Sequence, residues 1–257
     1  MNKLRIVIDI GNSNIVIGVN SNKKWLKIYR ISSRTEINYW SFEKKIKKII
    51  KDNKINPSDI DSVSISSVVP NMTDIIKLVI NDLLCKKILL LAPEKNKLIK
   101  INIDNKAEIG SDIVANSIAA MSIYDSNIIV VDFGTALTFT AISNKGEIIG
   151  VTIVPGLETA INSLYKNTAK LPKIRFGIPK KIIGKNTIES IQAGIFYGYS
   201  GLVKEVLTKM RSELTGETKV IATGGMSKKI SSLKIYFNDI IPTLTLDGLL
   251  LFSKKNN

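Results

Sequence analysis

Two short segments of this 257-residue chain hold the residues best suited to chemistry. The first is Asp9-Ile10-Gly11-Asn12-Ser13-Asn14, and the second is Asp132-Phe133-Gly134-Thr135-Ala136. Each sets a carboxylate after an apolar run, then a glycine, then small residues carrying hydroxyl or amide groups. Such an aspartate can hold a hydrated cation while turn N–H groups and the side chains of Asn12, Ser13 or Thr135 reach phosphate oxygens. Either segment alone reads as an ordinary hairpin turn, where Asp and Gly are routine. Two matched copies at half-chain spacing, one at Asp9 and one at Asp132, favour a phosphate clamp. A third candidate is Gly110-Ser111-Asp112, whose aspartate opens an apolar helix either as its cap or as a general base. Thr223-Gly224-Gly225 would let a flat ring or ribose approach the backbone, though a glycine pair ending a strand also makes a plain turn.

Composition removes much of the remaining chemistry. Histidine is absent, which excludes histidine bases, Ser-His-Asp and Cys-His nucleophiles and imidazole metal ligands. The single cysteine, Cys85, excludes an intrachain disulfide and any multi-thiolate metal site, and it fits a reducing compartment. The formal charge of +15 invites a nucleic-acid partner, but only five of the 37 basic residues are arginine, the better bidentate reader. Lysine, isoleucine and asparagine are abundant together, as AT-rich codons supply them, and aromatic residues are 6% of the chain. No nucleic-acid partner is therefore expected. The opening MNKLRIVIDIGNSN is interrupted by Asp9 and has no cleavage site, and no apolar run reaches the roughly 18 residues of a membrane span. The expectation is a cytoplasmic protein without a membrane partner.

The elements that must position these residues follow from periodicity. Strands are expected at Leu4 to Ile10, Ile15 to Val19 and Trp25 to Ile31. A helix is expected over 36–54, with Phe42, Ile46, Ile49 and Ile50 on one face and six lysines between 44 and 54 as a solvated face. Ser62 to Val68 and Lys87 to Leu91 read as strands around a helix over 71–84, and Gly110 to Tyr124 as a helix. Asn127 to Ile142 then repeats the opening, strand, Asp-x-Gly turn, strand, and Glu147 to Val154 adds a third strand as in the first half. A helix from Gly156, a basic stretch from Lys166 to Lys185 with seven Lys/Arg and no acid, and a long helix from Thr187 to Leu214 come next. Lys219 to Ala222 and Leu244 to Ser253 close the chain as strand and helix. Alternating helices and strands mean an α/β layered fold. The repeat implies two related domains, 1–118 and 119–257, with no linker between them.

DIGNSNIVIG, GSDIVANSIAA, VDFGTALTF, the VPG turn at Val154–Gly156 and NTIESIQAGIFYGYSGLV together resemble type III pantothenate kinase, a branch of the actin-like ATPase superfamily. The resemblance runs through nearly the whole chain. It implies two ribonuclease-H-like domains with the active site in the interdomain cleft, and Asp9 and Asp132 facing each other across it. It implies ATP-dependent phosphorylation of pantothenate to 4'-phosphopantothenate, the first step of coenzyme A synthesis. It also implies a homodimer, Mg²⁺ with ATP, and a monovalent cation, K⁺ or NH₄⁺. Carried over by position, Asp9, Ile10, Gly11, Asn12, Ser13, Asn14, Ile15 and Val16 match the ATP-phosphate segment, with Asp9 a Mg²⁺ ligand. Asp132 matches the monovalent-cation position, and Thr135 an ATP contact. Gly110, Ser111, Asp112 and Ile113 match the substrate segment, with Asp112 at the place of the general base. Thr187 matches a substrate contact.

Three positions depart from the family pattern. Ile113 stands where an arginine that helps hold pantothenate is usual, Ile103 where an aromatic contact is common, and Lys106 where proline is usual. The phosphate machinery is intact and the acceptor pocket is altered. Three activities are compatible with that: a kinase with a rearranged pantothenate pocket, a kinase for another small alcohol, or a nucleotide-binding regulatory factor without turnover.

Overall fold

The computed structural model describes residues 4–21 and 24–256; Met1 to Lys3, part of the opening segment read for targeting, lie outside them. The chain divides into two compact units. The first takes in the residues up to Lys100, Asp104–Ala119 and the segment from Leu244 onward, and the second Ile101–Ile103 and Ala120–Thr243.

The first unit is built on β1 (Leu4–Ile10), β2 (Asn14–Ser21), β3 (Lys24–Ser32), β4 (Ile60–Ser67) and β5 (Ile88–Leu90), in the order β3-β2-β1-β4-β5. The first three strands are antiparallel, and β4 and β5 join in parallel. Alternation along β1 and β2 sends Ile6, Ile8, Ile10, Ile15 and Ile17 to one face. There they meet Phe42, Ile46 and Ile49 of α1 (Tyr39–Asp52) and Ile76, Val79 and Ile80 of α2 (Pro70–Leu84), all buried. The helix of α1 begins three residues inside the expected span because Asn38 and Ser41 form a reciprocal capping box.

The other face of this sheet is lined by small and polar residues. Ser62, Ser64 and Ser66 alternate along β4 and are all fully buried. Small side chains there let two helices approach, α3 (Ser111–Met121) and α6 (Leu244–Asn256). Ser253 of α6 meets the Ser62 hydroxyl at 2.9 Å, Trp25 donates its indole N–H to Asp247 at 2.8 Å, and Thr245 donates to Asn116 at 2.8 Å. A Cβ on Gly248 would stand 1.8 Å from the Ala115 carbonyl oxygen, so only glycine permits this packing. The closing helix, expected with residues 119–257, thus belongs to the first unit. A division at 118/119 does not capture that return of the chain.

The second unit repeats the plan with β7 (Asn127–Phe133), β8 (Ala136–Ile142), β9 (Glu147–Pro155), β10 (Thr218–Thr223) and β11 (Asp239–Ile240); the short β6 (Lys100–Ile101) is added beyond β9. Its order β9-β8-β7-β10-β11 mirrors β3-β2-β1-β4-β5, antiparallel first and parallel after. The duplication therefore extends over five strands, two more than the repeat legible in sequence. Ile129, Val131, Phe139, Val220 and Ala222 form a core with α4 (Leu157–Lys166) and α5 (Thr187–Glu213). The basic stretch between those helices has no regular structure, as expected of a loop, but it is not free of the core. Leu171, Ile174 and Phe176 pack onto it. Among the described residues no helix is long and apolar enough to cross a membrane.

Candidate active-site elements in the two units

In the first unit the carboxyl end of β1 delivers Asp9 into a tight turn. Gly11 N–H donates to the Asn14 carbonyl at 3.0 Å. Ser33, just past β3, holds the outside of this turn: its hydroxyl donates to the Gly11 carbonyl at 2.7 Å and its N–H to the Ser13 carbonyl at 3.0 Å. Within Asp9–Val16, Ile10 and Ile15 were expected among the phosphate contacts, but both are wholly buried and paired in the sheet, so neither presents a surface to a ligand. Asn12 is exposed, while Asp9, Gly11, Ser13, Asn14 and Val16 are half-buried.

The substrate-type segment lies at the same end of this sheet. In the parallel ladder Asp9 stands opposite Ser66, and the Ser66 hydroxyl meets Ser111 Oγ at 2.9 Å. Asp112 follows on the first turn of α3. The residue keeps part of its surface open, yet its carboxyl group is closely surrounded by protein. Its Oδ1 accepts from the Ile113 N–H at 2.8 Å, and a Cβ on Gly110 would stand 2.2 Å from that oxygen. Glycine at 110 is what lets the carboxyl fold back over the chain. Burial raises the Asp112 pKa above the usual carboxylate range, and backbone hydrogen bonds from Ile113 and Asp112 itself pull it down less strongly. A carboxyl so tuned suits proton transfer better than a fully solvated one. Ile113 points inward and is 8% exposed. Lys106 is exposed in a short 3₁₀ turn, and Ile103 is half-buried within the second unit.

In the second unit the carboxyl end of β7 carries the half-buried Asp132, followed by exposed Gly134 and Thr135. Gly134 N–H donates to the Ala136 carbonyl at 3.1 Å, closing a turn one residue shorter than the one at Gly11. Two glycines grip this turn. A Cβ on Gly156 would lie 2.2 Å from the Gly134 carbonyl oxygen, and one on Gly224 would lie 2.4 Å from Asp132 Oδ1 and 2.7 Å from the Phe133 backbone. Gly224 also has φ +90, a conformation that favours glycine. Gly156 N–H and Thr159 Oγ1 donate to the Thr135 carbonyl at 3.0 and 2.6 Å, so the N-terminus of α4 is pinned to the turn. Thr223 stands opposite Asp132 in the ladder; its hydroxyl is buried and has no partner among the described residues. Thr187 is exposed at the first position of α5.

The first unit thus gathers Asp9–Asn14 with Gly110–Asp112, and the second gathers Asp132–Thr135 with Thr223–Gly225 and Gly156. Ser33 and Ser66 are additions that motif reading misses. Ser66 leaves a trace, the alternation Ser62-Val63-Ser64-Ile65-Ser66, which marks a face of small residues under a close helix. Ser33 lies 22 residues from Gly11 and leaves none. Among the described residues no group of three or more carboxylates or thiols is gathered to hold a metal ion on protein ligands alone.

Residues 5–209 match the family model described as type III pantothenate kinase. Among solved structures, a protein from Campylobacter jejuni assigned to the Baf family of transcriptional activators has a TM-score of 0.58 at 19% identity, covering 98% of both chains. The ethanolamine utilization protein EutJ from Carboxydothermus hydrogenoformans has a TM-score of 0.57 at 15% identity, covering 97% of this chain and 89% of its own. MreB 5 of Spiroplasma citri bound to AMPPNP has a TM-score of 0.54 at 12% identity, covering 98% of this chain and 96% of its own. At such identities these likenesses establish the fold, that of the actin-like ATPases.

Proposed function

This chain belongs to the type III pantothenate kinase family, and from that premise we propose that it transfers the γ-phosphoryl group of ATP to the hydroxyl of pantothenate, in the cytoplasm and as a homodimer. The observation that carries this reading is the buried Asp112 carboxyl at the same sheet end as the Asp9 turn, inside the matched residues. Asp112 accepts the proton of the acceptor hydroxyl, the freed oxygen attacks the γ-phosphorus, and the bond to the β-phosphate oxygen breaks to release ADP. The raised pKa brings the base nearer to the working pH, where a base is most effective. The turn N–H groups that follow Gly11, whose own N–H is held by the Asn14 carbonyl, hold phosphate oxygens together with the Asn12 and Ser13 side chains, and Thr135 makes a further ATP contact.

The residues present fit the expected ions. Mg²⁺ in kinases keeps several waters and takes one or two carboxylates plus substrate phosphates, so Asp9 would suffice with no carboxylate cluster gathered among the described residues. Such an ion supplies compensation for the phosphate charge. Asp132 holds K⁺ or NH₄⁺ in this reading. Ile113 packs inside the first unit and offers no charge to the acceptor carboxylate; a lysine such as Lys106 takes that role, and Ile113→Arg then leaves the KM for pantothenate no lower.

The test is a coupled ADP-release assay with Mg-ATP and K⁺, with and without pantothenate. ADP release that requires pantothenate supports the reading, and its stimulation by K⁺ or NH₄⁺ over Na⁺ is lost in Asp132→Asn. Equal rates without the acceptor, or none with it, reject it in favour of another alcohol or a regulatory factor.

A further inference from the structure

The family resemblance groups Ser111 with the acceptor contacts, but the hydroxyl has nothing left to offer one. A serine hydroxyl has one proton to donate and two lone pairs to accept with. Ser111 Oγ accepts from the Ser67 N–H at 2.9 Å, donates to the Ser67 carbonyl at 3.0 Å, and meets Ser66 Oγ at 2.9 Å. With the Ser111 proton directed to the carbonyl, Ser66 is the donor in the hydroxyl pair. All three capacities are used inside the protein, and Ser111 is 4% exposed.

These bonds join the first residue of α3 to the last two residues of β4. Ser66 stands opposite Asp9 in the ladder. The next residue after Ser111 is Asp112, whose carboxyl is already oriented on its own helix by the Ile113 N–H and the space over Gly110. What remains to be set is where the start of α3 stands against the sheet end, and the hydroxyls set it. We infer that Ser111 and Ser66 form a positioning clamp that fixes Asp112 relative to the Asp9 turn, and that Ser111 touches no substrate. This rests on the kinase reading above, with Asp112 as the base.

Steady-state kinetics with ATP and pantothenate test it in Ser111→Ala, Ser66→Ala, Asp112→Asn and the Ser111→Ala/Asp112→Asn double variant, each first checked by thermal melting. Misplacing a base by about an ångström costs on the order of 10²-fold. Ser111→Ala therefore loses about 10–100-fold in kcat with the KM for pantothenate unchanged. Ser66→Ala loses less, because it leaves Ser111 its two backbone bonds. The double variant is no slower than Asp112→Asn, since a positioning residue has nothing to act through once the base is gone. A raised KM with unchanged kcat makes Ser111 a substrate contact and overturns the inference. So does wild-type turnover in Ser111→Ala, or a further multiplicative loss in the double variant. If Ser111→Ala melts below the assay temperature, Ser66→Ala combined with Asp112→Asn carries the same comparison. Wild-type turnover in Asp112→Asn removes Asp112 from the chemistry, which sinks the base assignment and the clamp's purpose together.

Discussion

The two strand ends of this protein carry the same pair of groups and use them differently. In the first unit Asp9 stands opposite Ser66, and in the second Asp132 stands opposite Thr223, each hydroxyl residue buried on the parallel neighbour. The Ser66 hydroxyl is bonded to Ser111 and so to the helix that bears Asp112. The Thr223 hydroxyl is bonded to nothing among the described residues. Glycines tell the same story. Gly110 makes room for a side-chain carboxyl, whereas Gly156 and Gly224 make room for the backbone of the Asp132 turn. One end is tied to a helix that bears a desolvated carboxyl, and the other is packed tightly against backbone. The duplicated frame keeps its strand order while its two strand ends are packed differently.

The comparison breaks most readily at Asp112. Asp112→Asn should lower turnover by about 10²–10⁴-fold, while ATP binding measured by calorimetry is retained. Because burial raises its pKa, the folded state holds the Asp112 proton to higher pH than the unfolded chain does. Its contribution to stability is present at low pH and lost as pH rises through the raised value, where ionisation in place is a cost. The variant should accordingly melt no lower than the wild type at neutral pH. A clear drop in melting temperature with turnover retained would make Asp112 a cap only. In the wild type, the acid limb of kcat/KM should lie above the ordinary carboxylate range.

The Asp132 turn should fail by stability. Gly224→Ala and Gly156→Ala each drive a methyl into backbone atoms, and a cost of about 2–4 kcal/mol follows from overpacking and strain. Thermal or urea unfolding measures it, and losses under about 0.5 kcal/mol would mean that the turn can yield. Gly110→Ala sharpens the contrast, since the clashing atom there is the end of a side chain that can swing away. It should lose about 10-fold in turnover with a melting temperature close to the wild type. The smallest effects separate the two hydroxyls. Ser66→Ala should cost about 1 kcal/mol for a lost buried hydrogen bond, while Thr223→Val should be neutral or stabilising because it removes an unpartnered polar group. Equal losses in both would erase the distinction.

Sequence reading reached far on the sheets and less far on the contacts between distant segments. The Asp-x-Gly turns, the strands around them and the long α5 helix were legible because period-two and period-3.6 patterns are local properties of the chain. The return of α6 to the first unit was not, since it depends on Trp25 meeting Asp247 and on Gly248 fitting against Ala115, pairings with no local signature. Motif matching likewise gathered Gly110–Ile113 as one substrate segment. The structure separates them by environment: Asp112 is desolvated but oriented, Ser111 is saturated, and Ile113 belongs to the interior.

The central claim, phosphoryl transfer to the pantothenate hydroxyl with Asp112 as the base, is tested most directly by identifying the product. Wild type and Asp112→Asn would be incubated with Mg-ATP, K⁺ and pantothenate, and the acceptor followed by mass spectrometry and ³¹P NMR. The account predicts a phosphomonoester on pantothenate, formed in step with ADP by the wild type and at least about 100-fold more slowly by the variant. ATP converted to ADP and inorganic phosphate with pantothenate unmodified, or product formed equally fast without the Asp112 carboxylate, would contradict it.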